Sequence, residues 1–161
     1  MKKEIKNIVK LIILFIILFI SLLLNNNQRE DIIIFNYCID GDTFNALIDN
    51  NPTTIRLLAV NTPENTNKKE YYGEESSNYT CELLKSAQQI KIEYDNNSDL
   101  KDKYQRTLGW IFIDDKLLQL FIIENGYGEV KYLYGDYKYT DKLLKAETTA
   151  KTNKLGIWKE D

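Results

Sequence analysis

Residues 31–60 read DIIIFNYCIDGDTFNALIDNNPTTIRLLAV, and this stretch decides the fold. Asp31 to Ile39 is apolar and β-prone, and Asp40-Gly41-Asp42 then makes a tight turn. Thr43 to Ile48 alternates in polarity, Asp49-Asn50-Asn51-Pro52 is a second turn signal, and Thr54 to Val60 is apolar again. Strands joined this tightly form an antiparallel meander. Downstream, Glu64 to Tyr71 is a polar loop. Glu74 to Gln89 has helical spacing, with Tyr79, Leu83, Leu84 and Ala87 on its apolar side. Ile90 to Tyr94 and Thr107 to Ile113 read as two more strands, separated by the polar run Asp95 to Gln105. Leu117 to Asn125 reads as a helix stopped at Gly126, and Asp141 to Lys151 as a last helix. Strands first and helices inserted late predict an α+β Greek-key barrel of five strands with about three helices, not a βαβ fold.

Upstream the composition changes abruptly. Residues 11–24 are apolar except for Ser21, and Lys2, Lys3, Lys6 and Lys10 precede or open that run. A positive segment before a short apolar run is the pattern of a secretory leader. No small-x-small cleavage site follows Leu24, and the run is shorter than the ~20 residues of a comfortable membrane span. The expected division is therefore residues 1–27 as signal peptide or membrane anchor and residues 28–161 as one domain. The domain is expected outside the cytoplasm, either secreted or held at the membrane by its N-terminal segment.

Charge and composition narrow the chemistry. The chain has 21 Lys and Arg against 24 Asp and Glu. Without the leader's four Lys and one Glu, 17 basic against 23 acidic residues remain, a formal charge of −6. Proteins that live on phosphate contacts are more usually basic, so any grip on nucleic acid must come from local placement. There is no His, which excludes Ser–His–Asp triads, His-based acid–base catalysis and His-ligated zinc. Cys38 and Cys81 are too few for a four-cysteine zinc site. In an exported domain they either pair or stand as two thiols. Carboxylates, Arg, Lys, Tyr and a hard metal ion remain as the means of catalysis.

Four clusters carry such groups. Asp40-Gly41-Asp42-Thr43 places carboxylates at a strand-to-strand turn, although Asp-Gly is also an ordinary hairpin signal. Arg56 lies within an apolar strand, in a chain with only three Arg against 18 Lys. Its planar fork can hold two phosphate oxygens at once, and the bland alternative is a structural ion pair. The same segment runs on through Asn61-Thr62-Pro63-Glu64. Asp102-Lys103-Tyr104-Gln105-Arg106-Thr107 brings another Arg to a strand start, and alone it would read as a solvated charge run. Tyr132 and Tyr134 are two apart, so in an extended stretch they share a face that a base could stack on, or that packs a helix.

In this order and spacing, Asp40-Gly41-Asp42-Thr43, then Arg56 to Glu64, then Asp102 to Arg106, resemble the three signature segments of the staphylococcal-nuclease family. Lys154-Leu155-Gly156-Ile157-Trp158 resembles that family's C-terminal end. The likeness runs from about Ile33 to Asp161. It implies an OB-fold barrel and a calcium-dependent nuclease acting on DNA, with RNA left open, that leaves 3′-phosphate ends. It also implies a role for each matching residue. Asp42, Asn61 and the Thr62 carbonyl would hold Ca²⁺, and Glu64 would hold the attacking water. Arg56 and Arg106 would grip the phosphate, while Lys103, Tyr104, Tyr132 and Tyr134 would line the nucleotide pocket. In-line attack on a phosphodiester needs an oriented water, a charge-withdrawing metal and fixed positive donors, and none of these requires His. A monomer is expected.

Two positions depart from the family pattern. Asn61 stands where an Asp is usual, which removes a negative charge from the metal site. Gln105 stands where a Gly is usual. Two rival readings keep the fold without the chemistry: a nucleic-acid-binding module with weakened catalysis, and a membrane-anchored interaction protein.

Overall fold

The structure is a computed structural model that describes residues 2–24, 29–66 and 68–159. Helix α1 (Lys2–Leu24) covers the apolar run, and its large apolar side chains from Ile8 to Ile20 are exposed. Among the described residues no helix is both long and apolar enough to cross a membrane. The boundary expected between residues 27 and 28 lies outside the described residues.

The meander forms as the alternation demands. Strand β1 (Glu30–Asp40) pairs with β2 (Thr43–Ile48) from Ile34↔Leu47 to Asp40↔Thr43, and β2 pairs with β3 (Asn51–Leu57) from Thr43↔Arg56 to Ile48↔Asn51. Irregularities in the β1–β2 register between Phe35 and Tyr37, and between Cys38 and Asp40, add bend and twist to β1. After the two-residue strand β4 (Val60–Asn61) and helix α2 (Gly73–Ser86), strand β5 (Ile90–Glu93) pairs with the first half of β1. Strand β6 (Thr107–Ile113) lies beside β5 and also runs parallel to β3, from Ile55↔Thr107 to Leu57↔Gly109. That parallel contact closes a five-stranded barrel, so its edges are paired and not exposed. Strand β7 (Lys116–Leu117), helix α3 (Leu118–Glu124), strand β8 (Glu129–Val130), helix α4 (Thr140–Thr152) and a 3₁₀ turn (Gly156–Trp158) complete the chain. The three helices after α1 match the expected number.

Inward-facing residues of the strands fill the barrel: Phe44, Ile55, Leu57, Ile92 and Ile111 are essentially inaccessible. Each such side chain contributes about 1.5–3 kcal/mol relative to leaving it in water. Leu118, Ile122 and Leu143 pack α3 and α4 onto the core. Gln119 is also fully buried, and it is satisfied: its amide donates to the Gly109 carbonyl and accepts from the Ile111 N–H.

Cys38 and Cys81 form a disulfide that joins β1 to α2 across 43 residues of chain. The preceding residue of α2, Thr80, donates from a buried hydroxyl to the Gly41 carbonyl at 2.8 Å. Helix α2 therefore holds the Asp40-Gly41-Asp42 turn by one covalent bond and one buried hydrogen bond. The loop-entropy estimate for a crosslink of this span is about 4 kcal/mol.

Two expected elements end early. The run Thr54 to Val60 is not one strand, because Leu58 and Ala59 form a turn, with Ala59 at φ 58°. Beyond that turn Val60 and Asn61 leave the barrel to pair with β8. The helix expected to reach Gln89 stops at Ser86. Ala87 is extended, and the N–H groups of Gln88 and Gln89 both donate to the Asp114 carboxylate.

Candidate active site

The site begins at the β1–β2 turn. Asp40 and Asp42 are two apart and both are buried, at 6% and 7% exposure. Gly41 between them lies so close to the segment after β4 that a Cβ there would sit 2.7 Å from Thr62 Oγ1. That contact brings Thr62 onto the turn, where its N–H donates to Asp42 Oδ2 at 3.1 Å. Asp42 Oδ1 accepts from the Thr43 hydroxyl at 2.8 Å, and Oδ2 also forms an ion pair with Arg56 Nη1. The Thr43↔Arg56 register in β2–β3 makes that ion pair possible.

Asp40 meets a different neighbour. Its carboxyl hydrogen-bonds to that of Glu64 and is repelled by it. Burial above all, then the Glu64 contact, outweighs the hydrogen bond from the Gly41 N–H and pushes the Asp40 pKa up to about 6. Glu64 itself is exposed at the cleft and accepts from the Thr66 hydroxyl at 3.2 Å.

Barrel closure brings the two arginines together. Arg56 lies on β3, and Arg106 immediately precedes β6, the strand that runs parallel to it. Burial, then the Arg106 charge, lowers the Arg56 pKa to about 10, so Arg56 stays charged at neutral pH. Arg106 is aimed by Asp102, which accepts from its Nε at 2.7 Å, its Nη2 at 2.6 Å and its backbone N–H at 3.0 Å. Burial pushes the Asp102 carboxyl up. The bonds from Arg106 and from the Tyr104 N–H outweigh that effect and hold it below the usual carboxylate range.

Aromatic rings flank both guanidiniums. The Arg56 Cζ is 5.7 Å from the Tyr132 ring centroid, and the Arg106 Cζ is 5.3 Å from that of Tyr104. Lys103 Nζ lies 4.9 Å from the Tyr104 centroid. The Tyr132 and Tyr134 rings are adjacent at 6.2 Å, although the stretch is not extended, with Tyr132 at φ 60°.

A cleft of about 1160 Å³ gathers this set. Nine of the ten residues named from the sequence line it: Asp42, Arg56, Asn61, Glu64, Lys103, Tyr104, Arg106, Tyr132 and Tyr134. Thr62, the tenth, is buried at 3% exposure, and its Oγ1 is without a hydrogen-bond partner. Among the described residues no three Cys, Asp or Glu side chains are grouped so as to hold a metal ion. A cation here would have to draw on carbonyl and amide oxygens as well as carboxylates.

Three residues that shape the site were given no role of their own from the sequence. Asp40 lines the cleft, and its signal was the i, i+2 spacing to Asp42. Asp102 lies four residues before the arginine it holds. Glu129 accepts from the Asn61 amide at 3.2 Å across 68 residues, and no local pattern announces it.

Known protein sequences match most of this chain. Residues 54–160 match the family described as Staphylococcal nuclease homologue. The chain is 35% identical over 127 residues to the SPbeta prophage-derived endonuclease YokF of Bacillus subtilis (strain 168), covering 76% of this chain and 42% of that protein. It is 33% identical over 139 residues to endonuclease YncB of the same strain, covering 83% of this chain and 65% of that protein. Against the thermonuclease of Staphylococcus hyicus the identity is 30% over 123 residues, 74% of this chain and 71% of that protein. The chain thus spans less than two thirds of the two Bacillus endonucleases and somewhat more of the thermonuclease. By sequence match and by its closed barrel, the chain belongs to the staphylococcal nuclease family.

Proposed function

We propose that the protein is a nuclease that hydrolyses the phosphodiester bonds of DNA with the help of calcium. The observation that carries this reading is the convergence of two guanidiniums and an exposed carboxylate in one tyrosine-flanked cleft. A module that only binds nucleic acid has no evident need for that carboxylate beside two arginine forks.

The residues divide the work. Arg56 and Arg106 hold the non-bridging oxygens of the scissile phosphate, and their charge opposes the negative charge that builds as phosphorus becomes five-coordinate. Glu64 orients a water in line with the leaving oxygen and accepts its proton as the oxygen–phosphorus bond forms. The bond to the 5′-oxygen breaks, so the phosphate stays on the 3′ end, as in the family. Tyr104, Tyr132 and Tyr134 offer ring faces to bases or sugars, and Lys103 a charge to a neighbouring phosphate.

The donor set fits a hard cation. Asp42, the Thr62 carbonyl and the Asn61 amide oxygen are all oxygen ligands, as calcium prefers. Asp40 and Glu64 already share a crowded contact between two carboxyls, and a nearby positive charge would relieve it. Bound calcium would withdraw charge from the phosphate and help position the water.

The domain is proposed to act outside the cytoplasm, with α1 as leader or anchor. The Cys38–Cys81 disulfide supports this, since such bonds persist in oxidising compartments. Protease added to intact cells should then remove a C-terminal tag, and protection of that tag would contradict the topology.

The activity test uses purified full chain on single-stranded DNA, duplex DNA and RNA, with calcium or with a chelator. Calcium-dependent cleavage leaving 3′-phosphate ends, faster on single strands, is expected. Binding without cleavage would favour the binding-module reading, and cleavage in chelator would overturn the calcium reading.

A further inference from the structure

Asn61 and Glu129 face each other across the antiparallel β4–β8 pair. Asn61 Nδ2 donates to Glu129 Oε1 at 3.2 Å, and the same oxygen accepts from Lys131 Nζ at 2.7 Å. Glu129 is therefore a charged, acceptor-only partner with its own counter-ion. An acceptor-only group tolerates just one orientation of the Asn61 amide, with NH₂ toward Glu129 and Oδ1 turned away. Asn61 lines the cleft and Glu129 does not, so the side turned away from Glu129 is the cleft side.

The backbone holds this pair tightly. Val60, the other residue of β4, points into the core and is fully buried. The Lys131 N–H bonds to the Ala59 carbonyl at 3.1 Å, just beyond the ladder. On the other side Gly128 lies so close that a Cβ there would sit 2.8 Å from the Asn61 carbonyl oxygen.

We propose that Glu129 is a positioning residue: it fixes the Asn61 amide through its NH₂ group and so presents the Asn61 oxygen to the cleft as a cation ligand. This rests on the calcium reading above. The physical need comes from the side chain at position 61. A carboxylate there has two equivalent oxygens and works either way round, whereas an amide has one oxygen and one donor group. An amide that rotates freely would spend part of its time with NH₂ aimed at the cation. Glu129 removes that half of the rotation, and Lys131 neutralises the charge this places beside the site. The outer partners of metal ligands act in this way generally, and losing one typically weakens affinity about 10–100-fold.

The test is a double-mutant cycle read by calcium calorimetry on the full chain. Glu129→Leu and Glu129→Gln are each made in the natural background and in the Asn61→Asp background. In the natural background Glu129→Leu should weaken calcium binding about tenfold or more. Glu129→Gln keeps an acceptor oxygen and should restore most of that loss. In the Asn61→Asp background Glu129→Leu should leave affinity nearly unchanged, since no orientation is left to set and Lys131 already offsets the charge that is removed. Equal weakening in both backgrounds would show that Glu129 is only structural, and no weakening in the natural background would overturn the proposal. If the natural protein binds no calcium, the calcium reading fails by itself. Orientation is then read without metal from the Asn61 side-chain NH₂ resonances. These should shift toward the values of a free amide in Glu129→Leu, and if they do not move, the proposal falls.

Discussion

Two buried polar clusters in this barrel use the same side chains to opposite ends. One lies around Asp95 and Glu93, which are 6% and 8% exposed. Asp95 accepts from the Trp110 Nε1–H at 2.7 Å, the Lys138 N–H at 2.8 Å and the Asn97 N–H at 2.9 Å. Glu93 accepts from Lys138 Nζ and the Tyr139 hydroxyl. Here each carboxylate meets only donors, which is how a buried charge becomes a structural tie. The other cluster is the cleft. There Asp40 faces a second carboxyl, Thr62 Oγ1 has no partner, and two guanidiniums repel each other. Groups left in mutual conflict are groups a substrate and a cation can still satisfy. Unresolved electrostatics, more than burial or charge as such, separates the working cluster from the supporting one.

The sharpest way to break that contrast is to remove a fork while keeping its charge. Arg56→Lys and Arg106→Lys should each lower the cleavage rate about 10²–10³-fold, because one point charge cannot hold two phosphate oxygens. Steady-state rates on single-stranded DNA, with folding checked by circular dichroism, measure this. Near-normal turnover in both folded variants would move the arginines into the supporting class.

Asp95→Asn tests the other side. Asp95 Oδ2 receives two donors and Oδ1 a third, so either orientation of an amide turns its NH₂ toward an N–H. The expected loss is about 3–4 kcal/mol of stability, measured by urea unfolding. Cleavage per folded molecule should be unchanged at low temperature. A lost rate with stability intact would mean that the two clusters are not distinct in function.

How much of this was legible depends on the range of each interaction. The meander could be read because alternation and turn residues act locally, and β2 has the expected limits. The break at Leu58–Ala59 could not, because the run stays apolar through Val60 and only the tertiary pairing with β8 interrupts it. Likewise the arginines could be picked out by type and setting, but their proximity follows from barrel closure. Asp40 was readable as a turn acid, yet its conflict with Glu64 arises only once the β1–β2 turn meets the segment after β4.

That conflict gives a pH signature in the calcium-free protein. The folded Asp40 pKa is raised from 3.8 to about 6, so the folded state holds the proton more tightly than the unfolded chain. Its contribution therefore favours folding at low pH and is lost as pH rises from about 4 to about 6. Asp40→Asn mimics the protonated form and donates to Glu64, so it should remove this slope. Above pH 6 the variant should be the more stable by at most about 2–3 kcal/mol. Thermal melts of both proteins in chelator from pH 4 to 7 test it. A constant difference across that range would show that Asp40 is not in conflict with Glu64.

The smallest effect concerns the loop that carries Arg106. Gln105 has φ 65°, a left-handed backbone in which a side chain with a Cβ is disfavoured by about 1 kcal/mol or slightly more. The side chain is exposed, so it gives little packing in return. The conformation persists because Asp102 grips the loop: its carbonyl accepts from the Gln105 N–H at 3.0 Å, and its carboxylate accepts from the N–H groups of Tyr104 and Arg106. Gln105→Gly relieves the strain but adds freedom to the unfolded chain, which offsets part of the gain. The net expectation is a stabilisation of about 0.5–1 kcal/mol, read from urea midpoints at constant slope. Since Asp102 and not residue 105 aims the guanidinium, the cleavage rate should not change. A variant that is no more stable would mean that the left-handed turn costs nothing here. A variant that is more stable but slower would mean that the strain at Gln105 helps to hold Arg106 in the working cluster.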